Sequence, residues 1–201
     1  MFNLIRRDAI LQKWQLLIFV PFILFFVITE VPAFLAFMVA SIFIPFNAFA
    51  YDEKAKTNIL LNSLPYTRKE IIASRYLGAI VYMLLSIGMT SIALSVFNKP
   101  FTMTDIAIGG GLFLLFAAFT FPLFQIFKPG HITPIILISF ILLTWVARPV
   151  ISFINKHLTV ITDFIADLSN LVLYTGTAVI VIALYGISWG LATFIYQKKV
   201  F

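Results

Sequence analysis

Thr67 and Glu70 stand three residues apart in the string Leu64-Pro65-Tyr66-Thr67-Arg68-Lys69-Glu70-Ile71-Ile72, the spacing of a helix N-terminus. A threonine at the cap accepts a hydrogen bond from the amide three residues on, and the glutamate reaches back to the threonine's own amide. The spacing predicts a helix that begins at Thr67 and can run on without a break. Around the cap lie Lys54, Lys56, Arg68, Lys69 and Arg75, inside one polar, basic segment from Tyr51 to Arg75 that is set between long apolar runs. Such a group docks through charge and shape; it offers no nucleophile or acid/base pair. Ile59, Leu60, Leu61 and Leu64 add a short apolar cluster just before it. The cap itself leaves two uses open: an interfacial helix held by lipid phosphates, or a helix held by a protein partner.

Other chemistries lack their residues. There is no cysteine, which excludes disulfides, thiolate catalysis and cysteine metal sites. No G-x-x-x-x-G-K-[ST] string occurs, so the chain does not cradle nucleotide phosphates by that route. Gly109-Gly110-Gly111 lacks the lysine and opens an apolar run, where packing or flexibility is its expected role. Glu30, Asp105 and Arg148 fall at the ends of apolar runs, leaving no ionisable group at depth for a proton relay, a charged filter or an intramembrane protease. His131 and His157 lie far apart in connections and suggest no metal pair. No catalytic, cofactor-binding or metal-binding residue is assigned.

The elements that position the basic segment follow from composition. Hydrophobic residues make up 62% and charged residues 11% of the 201 positions, and the mean hydropathy is +1.06, against roughly 25% charged residues in an average soluble domain. This is the composition of an integral membrane protein. A bilayer core of about 30 Å needs about 20 apolar residues per helical span, and strand-period alternation, the mark of a barrel, is absent. The net charge of +6 flanks apolar runs without the aromatic interleaving of a nucleic-acid surface, so no nucleic-acid partner is expected.

The expected fold is an all-α membrane protein, a single domain over residues 1–201 with six transmembrane helices. Residues 1–13 read as an N-terminal interfacial helix, retained because no small-residue cleavage site follows before Glu30. Spans are predicted over Trp14–Thr29, Ala33–Ala50, Tyr76–Phe97, Ile106–Phe127, Thr133–Ala147 and Leu171–Tyr196. Residues 51–75 are the platform between the second and third. Residues 148–170 form an amphipathic helix before the last span, with Ile154, Leu158, Ile161, Ile165 and Leu168 on one face. Placed on alternate sides of six spans, eleven of the Lys and Arg residues fall on the side of the termini and the platform, and only Lys99, Arg148 and Lys156 on the other. The positive-inside rule then makes both termini and the platform cytoplasmic. Gly186 and Gly190 form a GxxxG pair for helix packing, within the chain or between chains. Phe43, Phe46 and Phe49 stand where they could line a path for an amphiphile.

The string Leu61-Asn62-Ser63-Leu64-Pro65-Tyr66-Thr67-Arg68-Lys69-Glu70-Ile71-Ile72, preceded by Asp52-Glu53-Lys54 and leading through Ser74-Arg75-Tyr76-Leu77 into the third span, resembles the small permeases of type-2 ABC exporters of Gram-positive bacteria. The resemblance covers essentially the whole chain. It implies a transmembrane permease subunit of an ATP-driven exporter in the cell membrane, and not an enzyme, since ATP is bound by a separate cytoplasmic ATPase subunit. It implies that Leu64, Pro65, Thr67, Arg68, Lys69, Glu70, Ile71, Ile72 and Arg75 couple to that ATPase, Ile71 and Ile72 as an apolar anchor ringed by charge. A second permease protomer, identical or related, and membrane lipid complete the implied partners. The apolar interior suits amphipathic peptides, peptide antibiotics or other hydrophobic cargo. A membrane immunity or sensor subunit that transports nothing is the alternative.

Overall fold

The structure, a computed structural model, describes residues 13–29, 31–54, 67–127 and 169–198, together with positions 134, 137–138, 141–142, 145–146, 149 and 152–153. Five helices are bounded: α1, Lys13–Ile28; α2, Ala33–Lys54; α3, Arg68–Val96; α4, Met103–Ile126; and α5, Asn170–Lys198. No strand occurs among the described residues. The described residues form α-helices and their connections, as the composition predicts. Three helices, Arg68–Val96, Met103–Ile126 and Leu171–Lys198, are long and apolar enough to cross a membrane, and shorter apolar helices cover Ile18–Ile28 and Ala33–Asn47. The expected interfacial helix at 1–12, residues 55–66 of the platform and most of the 148–170 segment lie outside the described residues. In the expected fifth span the described positions are helical and continue so to 153, past the boundary drawn at Ala147.

The helices start and stop where local chemistry directs them. After α3, Asn98 adopts a left-handed φ of 53°, the Asn98 amide donates to the Ser95 carbonyl at 3.1 Å and the Lys99 amide to that of Leu94 at 2.9 Å. This pair of bonds closes a helix with one left-handed residue, and asparagine tolerates that φ better than any residue except glycine. Four residues on, Thr102 caps α4: its amide donates to Asp105 Oδ2 at 2.8 Å and its Oγ1 accepts from the Asp105 amide at 3.2 Å. Asp105, read from the sequence only as a charge at the end of a span, is thus half of a second capping box, and α4 begins three residues before the predicted Ile106. A short side chain at this position does the work that glutamate does at Glu70.

Helix α2 lies between α1 on one side and α3 and α4 on the other, while α5 packs on α4 and α3. The α2–α4 crossing is close because Gly109 has no side chain. A Cβ there would stand 2.7 Å from both the Phe34 carbonyl oxygen and Phe37 Cβ. Among the described residues nothing lies within 4 Å of a Cβ on Gly111. The packing role expected of the glycine run therefore falls on its first member. Gly109→Val is expected to force the two backbones apart and lower stability by about 1–3 kcal/mol, whereas Gly111→Ala leaves the thermal melt of the purified protein unchanged. Equal melts for the two variants would contradict this crossing.

Two other expectations fall partly on described residues. Phe46 is buried against Phe116, Phe121 and Phe124, with ring centroids 5.3, 6.0 and 5.4 Å away, and Phe43 packs on Phe22 at 4.5 Å. These rings fill core space between helices; Phe49 is outside the residues whose side chains are described. Gly186 and Gly190 are exposed, and no described residue comes within 4 Å of a Cβ on either. Two residues along a helix turn about 200°, so this glycine face points away from Ser188, which is buried. Among the described residues the pair serves no packing within the chain.

Candidate coupling site

The predicted cap is formed in full. Thr67 is extended (φ −71°, ψ 150°) ahead of the first turn of α3, its Oγ1 accepts from the Glu70 amide at 3.2 Å, and its amide and hydroxyl both donate to Glu70 Oε2 at 2.8 Å. The Thr67 amide and then its hydroxyl hold the Glu70 carboxyl below its ordinary range. At 29 residues and 1.5 Å each, α3 is about 43 Å long, longer than a bilayer core of about 30 Å, and its only charged residues, Arg68, Lys69, Glu70 and Arg75, are all in its first eight positions, the end that belongs at headgroups and water. A lowered carboxyl pKa keeps the carboxylate ionised at neutral pH. The cap's contribution is therefore present there and is lost only as pH falls through the lowered value.

The residues after the cap divide into two faces. Lys69 is exposed, and Arg68, Glu70 and Arg75 are partly so. Ile71 and Ile72, by contrast, are 1% and 0% exposed, packed in one core cluster with Tyr76, Phe121, Ala192 and Tyr196. The anchor expected from the sequence is thus occupied inside the bundle. A pair of isoleucines one turn into a helix looks alike whether it faces a partner or the chain's own core, and Phe121, Ala192 and Tyr196 of this cluster lie about 50 to 120 positions away. Leu64 and Pro65 lie outside the described residues.

Arg68 is also engaged. Its Nη1 donates to the Gln197 carbonyl at 2.7 Å, and Gln197 is in the last turn of α5. Final carbonyls of a helix have no partner within it and carry the negative end of its dipole, so a guanidinium placed there stabilises the terminus. On that last turn Lys198 Nζ lies 4.2 Å above the Phe194 ring centroid. The start of α3 and the end of α5 together present a basic edge made of Arg68, Lys69, Arg75 and Lys198. Nothing in the sequence spacing linked Arg68 to Gln197; the bond depends on α3 and α5 meeting end to start.

At the opposite end of these helices an apolar cavity of about 570 Å³ opens between α3, α4 and α5. Met83 and Ile87 form one wall, Gly110, Gly111 and Leu114 another, and Val181 a third. Its polar lining is confined to Tyr174 and Thr177, both in the first two turns of α5. Among the described residues no cluster of His, Cys, Asp or Glu could hold a metal ion.

The family model described as ABC-2 family transporter protein matches residues 3–197. The chain belongs to this family. No curated protein and no solved structure matches it. Membership makes the chain a membrane-embedded permease component of a transporter, of a kind that generally performs no catalysis itself and typically works with a cytoplasmic ATPase.

Proposed function

We propose that this ABC-2 permease is the transmembrane subunit of an ATP-driven exporter of hydrophobic or amphipathic cargo, peptides and peptide antibiotics among them, and that the start of α3 receives the force of a cytoplasmic ATPase. The observation that carries the reading is the capped turn at Thr67: a basic helix end outside the hydrocarbon that continues without interruption into a membrane-length helix. Its docking edge is Thr67, Arg68, Lys69 and Glu70, with Arg75 and Lys198 beside them. Leu64 and Pro65 join it by the resemblance of the sequence. Ile71 and Ile72 act from beneath, fixing the edge to the bundle.

The apolar cavity supports a cargo with substantial hydrocarbon surface, since a concave site of this size lined almost wholly by aliphatic side chains rewards apolar area and offers few polar anchors. A second protomer, identical or related, completes the path, and the exposed Gly186–Gly190 face supports such a contact. With the six spans read from hydropathy, the distribution of Lys and Arg supports both termini and the platform on the cytoplasmic side. The cysteine-free chain makes the orientation testable. Lys69→Cys is expected to react with a membrane-impermeant maleimide only in inside-out vesicles and Lys99→Cys only in intact cells. Labelling of Lys69→Cys in intact cells would reverse the orientation and remove the docking edge from the ATPase's side.

A further inference from the structure

Pro122 lies inside α4. Proline has no amide hydrogen, so the carbonyl four residues earlier, that of Ala118, loses its helical donor, and within a bilayer no bulk water replaces it. The donor comes from another helix: Ser188 Oγ on α5 donates to the Ala118 oxygen at 2.6 Å. Having given its single proton there, Ser188 can only accept from Tyr76, whose hydroxyl lies 2.8 Å away. Tyr185 closes the group by donating to the Tyr76 carbonyl at 2.9 Å. Tyr76 is fully buried, with its ring 5.1 Å from Phe121 and 5.0 Å from Tyr185 in edge contact and stacked on Trp189 at 5.9 Å. One hydroxyl chain thus joins three helices at the only break in the hydrogen bonding of α4 that its sequence imposes.

Tyr76 is on the same uninterrupted helix as the docking edge, eight residues or about 12 Å beyond Arg68, with neither glycine nor proline between them. We infer that Tyr76 and Ser188 are positioning residues that link a displacement of the docking edge to the proline break in α4, Pro122 being the hinge and the Ser188–Ala118 hydrogen bond its latch. While the latch is closed, the Ala118 carbonyl is satisfied and α4 is held in one geometry. When α3 is displaced, Tyr76 withdraws from Ser188, the chain of hydroxyls loses its alignment, and α4 is released to bend at residues 118–122. The link to ATP rests on the function proposed above; the latch itself rests on the distances alone.

The two can be tested apart. Met103→Cys and Phe127→Cys, at exposed positions at the two ends of α4, carry spin labels in the otherwise cysteine-free permease, reconstituted in nanodiscs with its ATPase. Without nucleotide, Ser188→Ala is expected to add a second, shorter distance population that wild type lacks. Pro122→Ala restores an amide for the Ala118 carbonyl, so Pro122→Ala with Ser188→Ala is expected to return to the single wild-type distance. Tyr76→Phe, which keeps the ring and removes only the hydroxyl, should give a smaller second population. A wild-type distribution in Ser188→Ala, or a second population that persists in the double variant, would overturn the latch. Trapping the ATPase with vanadate should shift wild type toward the shorter distance. If hydrolysis is stimulated by the permease but α4 does not move, the link is wrong; if the permease neither binds the ATPase nor stimulates hydrolysis, it is the exporter reading that fails.

Discussion

Replacing Ile72 with aspartate is expected to unfold the platform end of the bundle and not merely to weaken a docking surface. Ile72 is 0% exposed and Ile71 beside it 1%. Truncating a buried isoleucine alone costs about 2–5 kcal/mol, and a carboxylate in its place adds the desolvation of a charge with no cation among Tyr76, Phe121, Ala192 and Tyr196. The sum exceeds what single substitutions usually cost. The variant should lose its monodisperse peak in detergent and its cooperative melt. Lys69→Glu, on the exposed side of the same turn, should keep both and lose ATPase binding by charge reversal. A folded Ile72→Asp protein that has lost only its ATPase would return the isoleucines to the partner surface that the sequence suggested.

The second large effect is expected from removing the cap. In Thr67→Ala with Glu70→Ala, the bonds from the Thr67 amide and hydroxyl to Glu70 Oε2 and from the Glu70 amide to Thr67 Oγ1 all disappear. Exposed caps contribute little to a bundle whose core rests on buried aromatic and aliphatic side chains, so the melt should barely shift. The first turn frays instead, and a frayed end transmits no force. Permease-stimulated ATP hydrolysis should fall by about tenfold or more while the protein remains in the membrane; a drop of that size corresponds to about 1.4 kcal/mol in the coupled step. Wild-type stimulation in this double variant would remove the cap from the coupling mechanism.

How much of this was legible in the sequence depended on whether the deciding partner was local. The Thr67–Glu70 box is an interaction over three residues, and it stood in the sequence as it stands in the structure. The Thr102–Asp105 box was equally local and was missed only because the aspartate was read as an interfacial charge. The three membrane-length helices α3, α4 and α5 followed from hydropathy, with α3 running back to Arg68 because nothing between Arg68 and Tyr76 interrupts a helix. Tertiary facts were not legible. Which isoleucine faces inward, which carbonyl Arg68 reaches and which glycine touches a neighbouring backbone depend on helix crossings, and several helices here are apolar on nearly all sides, which erases the amphipathic stripe that normally tells inside from outside. A proline at 122 deprives the Ala118 carbonyl of its helical donor by local chemistry alone. The sequence could not say that Ser188 would serve it.

The most direct measurement places the purified permease in nanodiscs, alone and with its cognate ATPase, and follows ATP binding and hydrolysis. Lacking a phosphate-binding loop, the permease alone is expected to bind and hydrolyse no ATP, to form a stable complex with the ATPase, and to stimulate its hydrolysis in a way that Lys69→Glu abolishes. A stable complex whose ATP turnover is the same with the permease as without it, and the same with Lys69→Glu as with wild type, would contradict the assignment of α3 as the helix through which ATP drives this protein.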